Sequence, residues 1–220
     1  PLGCAWFAYQ QITDISDCDV LSPYLGKIYS RSEIISAINE YPELYYTEYD
    51  NFDHLIEESV YYLSQNRVIG WFQGGSEIGP RALGNRSILA SPIHSWMTGY
   101  INNEIKGREW YRPFAPAVLF EHQSEIFESD VYSPYMLVTT SVKEDWRSKI
   151  PAVTHIDNSA RHQSVTEENN KKFYDLIKQF YQQTKIPVLL NTSFNAPKEP
   201  IVETPKDAIN TFQETNLEIL

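Results

Sequence analysis

Residues 74–84, GGSEIGPRALG, place four glycines and a proline in eleven positions. Glycine weakens a helix or strand interior by about 0.5–1 kcal/mol relative to alanine, and an interior proline breaks a helix at a cost of about 3 kcal/mol. The segment must therefore be a loop that turns sharply and lets a ligand approach its backbone closely. On either side, residues 67–72 (RVIGWF) and 87–90 (SILA) are apolar runs that predict strands. This strand, loop, strand frame anchors the expected organisation.

Upstream of it, residues 1–12 read as the end of a helix and residues 14–29 as a polar connection. Ser30 and Glu33 have capping-box spacing ahead of Ile34, Ile35 and Ile38, and Phe52, Leu55, Ile56, Val60 and Leu63 recur at helical intervals. Downstream, Ser91 and Pro92 predict the start of a helix that buries Ile93, Trp96, Tyr100, Ile101 and Ile105 and stops at Gly107. Residues 117–120, 135–142, 153–156 and 162–165 read as strands, with a turn at Asp157 and Asn158. Phe173, Leu176, Ile177 and Phe180 predict an amphipathic helix within 167–184, residues 187–190 (PVLL) a short buried strand, and Thr204, Pro205 and Asp207 the cap of a last helix. Strands alternating irregularly with helices point to a mixed open sheet covered by helices.

No run approaches eighteen consecutive apolar residues, which argues against a membrane span. Cys4 and Cys18 lack the spacing of a zinc site or a disulfide scaffold and suggest a reducing, cytoplasmic setting. The chain begins at Pro1 without an initiator methionine or a signal-like segment, so it reads as a piece of a longer polypeptide. A formal net charge of −11 disfavours nucleic-acid binding, which normally uses a basic face. Charge is nevertheless uneven: residues 81–112 hold Arg81, Arg86, Lys106, Arg108 and Arg112 against Glu104 and Glu109. That local excess suits either a solvated face or a small polyanion site.

Four stretches can carry chemistry. In residues 74–88, Arg81 and Arg86 add fork-shaped donors to the flexible loop, making either an anion cradle or a tight surface turn. In residues 102–116, Lys106 falls near a helix end, while Arg112 precedes Pro113 and takes extended geometry, so the two cations can converge. Glu109 reads as the partner in a surface ion pair, and Trp110, Tyr111 and Phe114 as core residues rather than a base-stacking platform. In residues 151–165, Arg161 supplies a third cation, His155 reads as a satisfied interior residue, and an Asp-Asn turn accounts for Asp157 more simply than a magnesium site. In residues 187–202 a buried strand ends at Asn191, Thr192 and Ser193, which either bind a nucleotide or close the strand with a turn.

Together these stretches resemble the C-terminal domain of the O-carbamoyltransferase family typified by NodU, CmcH and TobZ, over about residues 67–220. Residues 21–35 (LSPYLGKIYSRSEII) also look like that family's linker. The resemblance implies an α/β fold of YrdC-like type, a twisted open mixed sheet. It assigns residues 1–30 to the end of an N-terminal actin-like domain and its linker, and 31–220 to the YrdC-like domain. The activity implied is formation of carbamoyl-adenylate from carbamoyl phosphate and ATP, with Mg2+, after which the N-terminal actin-like domain of the same polypeptide would transfer the carbamoyl group to the hydroxyl of an acceptor molecule. Lys106, Arg112 and Arg161 would be the catalytic cations, with Arg81 and Arg86 close by and Asn191 and Ser193 on the nucleotide side. No protein metal ligand is implied. Lys198 and Asn158 stand where the family usually has glycine, and Gly75-Ser76 where an Arg-Met type pair is usual. A nucleotide-binding module without turnover is the alternative reading.

Overall fold

The computed structural model describes residues 2–13 and 22–220; Cys18 and the first half of the predicted polar connection lie outside them. Helix α1, Leu2–Ile12, leaves Phe7, Tyr9 and Ile12 exposed. At α2, Arg31–Ile38, the predicted capping box forms: Ser30 Oγ accepts from Glu33 N at 3.3 Å while Glu33 Oε2 accepts from Ser30 N at 2.9 Å. Helix α3, Phe52–Ser64, buries Ile56, Val60 and Leu63.

The main sheet joins β1 (Ile69–Phe72), β2 (Arg86–Ala90), β3 (Ala115–Leu119), β6 (Gln163–Val165) and β7 (Val188–Ser193) in the order β1-β2-β7-β3-β6. Only β3 and β6 run parallel, so the sheet is mixed, as the alternating pattern predicts. Strands β4 (Thr139–Ser141) and β5 (Ser159–Arg161) form a separate antiparallel pair. Helix α7, Lys171–Thr184, buries Phe173, Leu176, Ile177 and Phe180 at the predicted spacing and packs on α3, β3 and β7. Each such side chain stabilises the fold by about 1.5–3 kcal/mol. Helix α8, Pro205–Glu214, starts with a second capping box, Thr204 with Asp207.

Register gives the sheet one chemically distinctive end. Asn191 lies opposite Ala115, Ser193 opposite Ser87, and Gln163 opposite Ala117. The C-terminal half of β7 thus lies against the first residues of β2 and β3, and β6 begins one strand further on, beyond β3.

The sequence expectation fails in three places. The helix predicted from Ser91 starts only at Trp96, which is 52% exposed; α4 (Trp96–Tyr100) runs directly into a π-helical segment, Ile101–Ile105. Between the expected strands lie two helices that the pattern does not predict, α5, Phe120–Ile126, and the short α6, Glu144–Arg147. The apolar period of α5 is hidden because Gln123, not a hydrophobe, fills its inner face, donating to Ser129 O and Val131 O and accepting from Ser164 Oγ. Residues 153–156 form no strand; Pro151–Val153 is a single 3-10 turn.

Candidate functional site

Lys106 closes the π-helical segment, its N–H donating five residues back to Ile101 O at 2.9 Å. A π turn carries an extra residue, so the chain beyond it is rotated by about 100° relative to a continuous α-helix. Gly107 then leaves the helix at φ +51°. Lys106 is 5% exposed, and its Nζ donates to Ser193 O, to Asn195 Oδ1 at 2.7 Å and to Asn195 O at 3.2 Å, with Ser193 Oγ at 3.3 Å. Burial, with a smaller repulsion from Arg108, pushes its pKa down to about 7.

Arg108 is a residue of this site that the sequence leaves unassigned. Its Nε donates to Asn102 Oδ1 at 2.7 Å and its guanidinium stands 4.9 Å from the Phe114 ring centre. Burial lowers its pKa, and Arg112 lowers it further. Arg112 is exposed and pairs with Glu109 at 2.8 Å, so Glu109 does form the expected surface ion pair. Asn102 holds the whole loop from inside, donating to Trp110 O at 3.0 Å and Arg112 O at 2.9 Å. Phe114 is core, but Trp110 and Tyr111 are not: they are 68% and 65% exposed, edge to face, on this pinned loop. Rigidity comes from the asparagine, so the aromatic rings need not be buried.

Arg161 ends β5, and burial and then Arg81 lower its pKa. Arg81 is exposed. Its loop is tied to the sheet by side-chain amides: Asn191 Nδ2 donates to Ala82 O at 3.1 Å and to Gln163 Oε1 at 2.9 Å, and Gln163 Nε2 donates to Leu83 O at 2.8 Å. The carboxamide oxygen of Asn191 is buried and has no partner among the described residues. Strand β7 therefore organises both halves. Asn191 grips the segment just after Arg81, and Ser193, two residues on, receives Lys106.

Arg86 has a different place. It is 0% exposed, its guanidinium lies 3.6 Å from the Phe72 ring centre, and it donates to Gln73 O at 2.6 Å, Asn85 O at 3.0 Å and Gly74 O at 3.1 Å. Those carbonyls take its terminal N–H groups, and its Nε is buried without a partner among the described residues, so it shapes the glycine-rich loop rather than facing a ligand. Glu77 does the same with opposite polarity, its Oε1 accepting from the N–H groups of Leu83, Asn85 and Arg86 at 2.7, 2.8 and 3.2 Å.

His155 is satisfied, as expected, by Ser159 Oγ at 3.2 Å and Phe114 O at 3.4 Å. Asp157 closes its turn by accepting from Ser159 N at 3.0 Å and Ser159 Oγ at 2.6 Å. Among the described residues no three His, Cys, Asp or Glu side chains gather to hold a metal ion, and no helix is long and apolar enough to cross a membrane.

Residues 60–220 match the family described as Carbamoyltransferase C-terminus. The chain is 40% identical over 217 residues to an uncharacterized protein of Synechocystis, covering 90% of this chain and 35% of that protein. It is 44% identical over 174 residues to the nodulation protein NolNO of Sinorhizobium fredii, covering 78% of this chain and 26% of that one. It is 43% identical over 147 residues to the 3'-hydroxymethylcephem-O-carbamoyltransferase of Amycolatopsis lactamdurans, covering 67% and 28% respectively. The chain thus spans about a third or less of these relatives. The structure of full-length HypF in its phosphate- and nucleotide-bound form aligns with a TM-score of 0.49 at 14% identity, over 77% of this chain and 21% of that one.

Proposed function

The chain belongs to the carbamoyltransferase C-terminal family, and from that premise we propose that it forms carbamoyl-adenylate from carbamoyl phosphate and ATP, on a YrdC-like fold. The observation that carries the reading is the attachment of two cationic groups to one strand end: Lys106 through Ser193, and the Arg81 loop through Asn191. Two polyanionic substrates repel each other, and cations placed on both sides of them offset that repulsion.

In the proposed chemistry, water cleaves carbamoyl phosphate to carbamate and phosphate. A carbamate oxygen then attacks the α-phosphorus of ATP, and pyrophosphate leaves with the bonding electrons. Phosphoryl and adenylyl transfer of this kind depends on positioning and charge stabilisation, so no side-chain nucleophile is needed. Lys106, Arg108 and Arg112 hold phosphate oxygens from one side, Arg81 and Arg161 from the other. Asn191 and Ser193 orient the nucleotide between them. The carboxylates present do not form a magnesium site among the described residues, so magnesium would enter on the ATP phosphates, as it commonly does. Transfer to an acceptor hydroxyl belongs, in this proposal, to an actin-like domain of the same polypeptide, in the cytoplasm.

The test is direct. Protein incubated with ATP, magnesium and carbamoyl phosphate is expected to release pyrophosphate only when all three are present. Absence of both pyrophosphate release and ATP binding overturns the proposal, and ATP binding without carbamoyl-phosphate-dependent turnover selects a non-catalytic nucleotide module instead.

A further inference from the structure

Residues 22–29 cross the glycine-rich loop with no clearance for a side chain. A Cβ on Gly26 would stand 1.9 Å from Ser76 Oγ and 2.6 Å from Ser76 N, and a Cβ on Gly75 would stand 2.4 Å from Gly26 O. Main-chain bonds hold the crossing, from Gly26 N to Ser76 O at 3.0 Å and from Ile78 N to Pro23 O at 2.8 Å. The Tyr24 hydroxyl donates to Leu83 O at 2.9 Å, the same carbonyl that Gln163 Nε2 reaches from the sheet. Burial raises the pKa of that hydroxyl, so it remains a donor. Beside this contact lies a cavity of about 100 Å³ bordered by Pro23, Tyr24, Gln163 and Asn170. Leu83 is buried against Tyr24, so the strap and the amides of Gln163 and Asn191 together support this part of the loop.

We propose that residues 22–29 form a strap whose seating fixes Arg81 opposite Arg161, with Tyr24 and Gly26 as positioning residues. The inference rests on the reading of Arg81 and Arg161 as part of a polyanion site. Leu83 is only two residues beyond Arg81, and its carbonyl is held by strap and sheet at once. A displaced strap removes one of the two donors and frees the loop to shift. Ligand binding across Arg81 and Arg161 and strap seating then favour one another, as linkage requires.

The experiment uses the full chain with Gly26→Ala and Tyr24→Phe, each alone and combined with Arg81→Ala. ATP affinity is read by calorimetry, and amide exchange of residues 81–86 is read without nucleotide. Gly26→Ala is expected to weaken ATP binding about tenfold, within the usual range of coupling between sites, and Tyr24→Phe about threefold, since Gln163 still reaches Leu83 O. Both are expected to raise exchange at residues 82–84 while leaving β3 and α7 protected. In the Arg81→Ala background each loss should shrink below about twofold, since residues acting through one another are not additive. Equal losses with and without Arg81, or unchanged affinity in both strap variants, overturn the proposal. If the wild type binds no ATP, the functional reading fails, and the exchange measurement still decides the strap: a rise at residues 82–84 supports it and no rise overturns it.

Discussion

The ammonium of Lys106 donates to Asn195 Oδ1 at 2.7 Å, and its acceptors, two from Asn195 and two from Ser193, are all uncharged. A 5% exposed cation with only neutral partners has left water without gaining a counter-charge. That imbalance, with Arg108 nearby, lowers its pKa to about 7. A phosphate is the chemical opposite of this environment, and its arrival would restore the charge.

Binding of ATP should therefore take up about one proton at pH 8 and almost none at pH 6, where Lys106 is already charged. Calorimetry in two buffers of different ionisation enthalpy measures this uptake, which Lys106→Met should abolish along with most of the affinity. Stability has the same sign. The unfolded lysine keeps its ordinary pKa near 10.4, so between about pH 7 and 10 the unfolded state binds more protons. Wild type should gain stability relative to Lys106→Met as pH rises through that window. A flat difference would show that the lysine is charged throughout.

Arg86 and Arg112 should separate cleanly. Arg112→Ala removes one member of a pair whose side chains are 52% and 51% exposed, which costs about 0.5 kcal/mol or less, yet it should weaken ATP binding roughly tenfold. Arg86→Ala strips the donor from three loop carbonyls and leaves a gap beside Phe72. That change should cost about 3–5 kcal/mol and lower Tm by about 10 °C. Thermal melts of the two variants beside ATP titrations check both statements.

These two arginines also show how far the sequence can be read. Glycine density, capping boxes and the α7 period expose the loop, three helix starts and most of the main sheet, because those signals are local. The cationic excess at residues 81–112 is equally visible. Sequence does not separate Arg86 from Arg81, five residues apart in one glycine-rich motif, because the difference lies in Phe72 and the carbonyls that enclose Arg86. Arg108 and Gln163 escape it for the converse reason. Their partners, Asn102 and the pair Asn191 with Leu83, come from a π turn and from sheet register, and neither leaves a periodic mark. Trp110 and Tyr111 read as core because aromatic residues usually are; Asn102 removes that need.

Lys198 offers a test of backbone strain. It sits at φ +67°, and Asn158 at φ +62°, the left-handed region that glycine enters freely. The loop thus keeps a glycine-like path at a position where the resembling family usually has glycine, with lysine bearing the strain. Asparagine tolerates that region, whereas for lysine it costs about 1 kcal/mol. Lys198→Gly should therefore raise Tm by about 2–4 °C, less the entropy that glycine returns to the unfolded chain. No rise in Tm would mean that the unfolded-state effect cancels the relief.

Glu77 presents the strongest dependence of loop shape on a single side chain. One carboxylate oxygen accepts three main-chain N–H groups, from Leu83, Asn85 and Arg86, and the other is buried with no hydrogen-bond partner among the described residues. Charge-assisted bonds of this kind contribute about 1.5–3 kcal/mol each when measured singly. In Glu77→Gln the carbonyl oxygen can still accept, but the charge is lost and an NH2 group enters a buried position that offers it no acceptor. The expected cost is about 2–4 kcal/mol, seen as a lower urea midpoint with an unchanged slope. Amide exchange at Leu83, Asn85 and Arg86 should accelerate first, before the α7 core opens, because those three N–H groups lose the anion that orders them. Uniform acceleration across the whole chain, with no lead from these amides, would assign Glu77 to global stability rather than to the shape of the loop that carries Arg81.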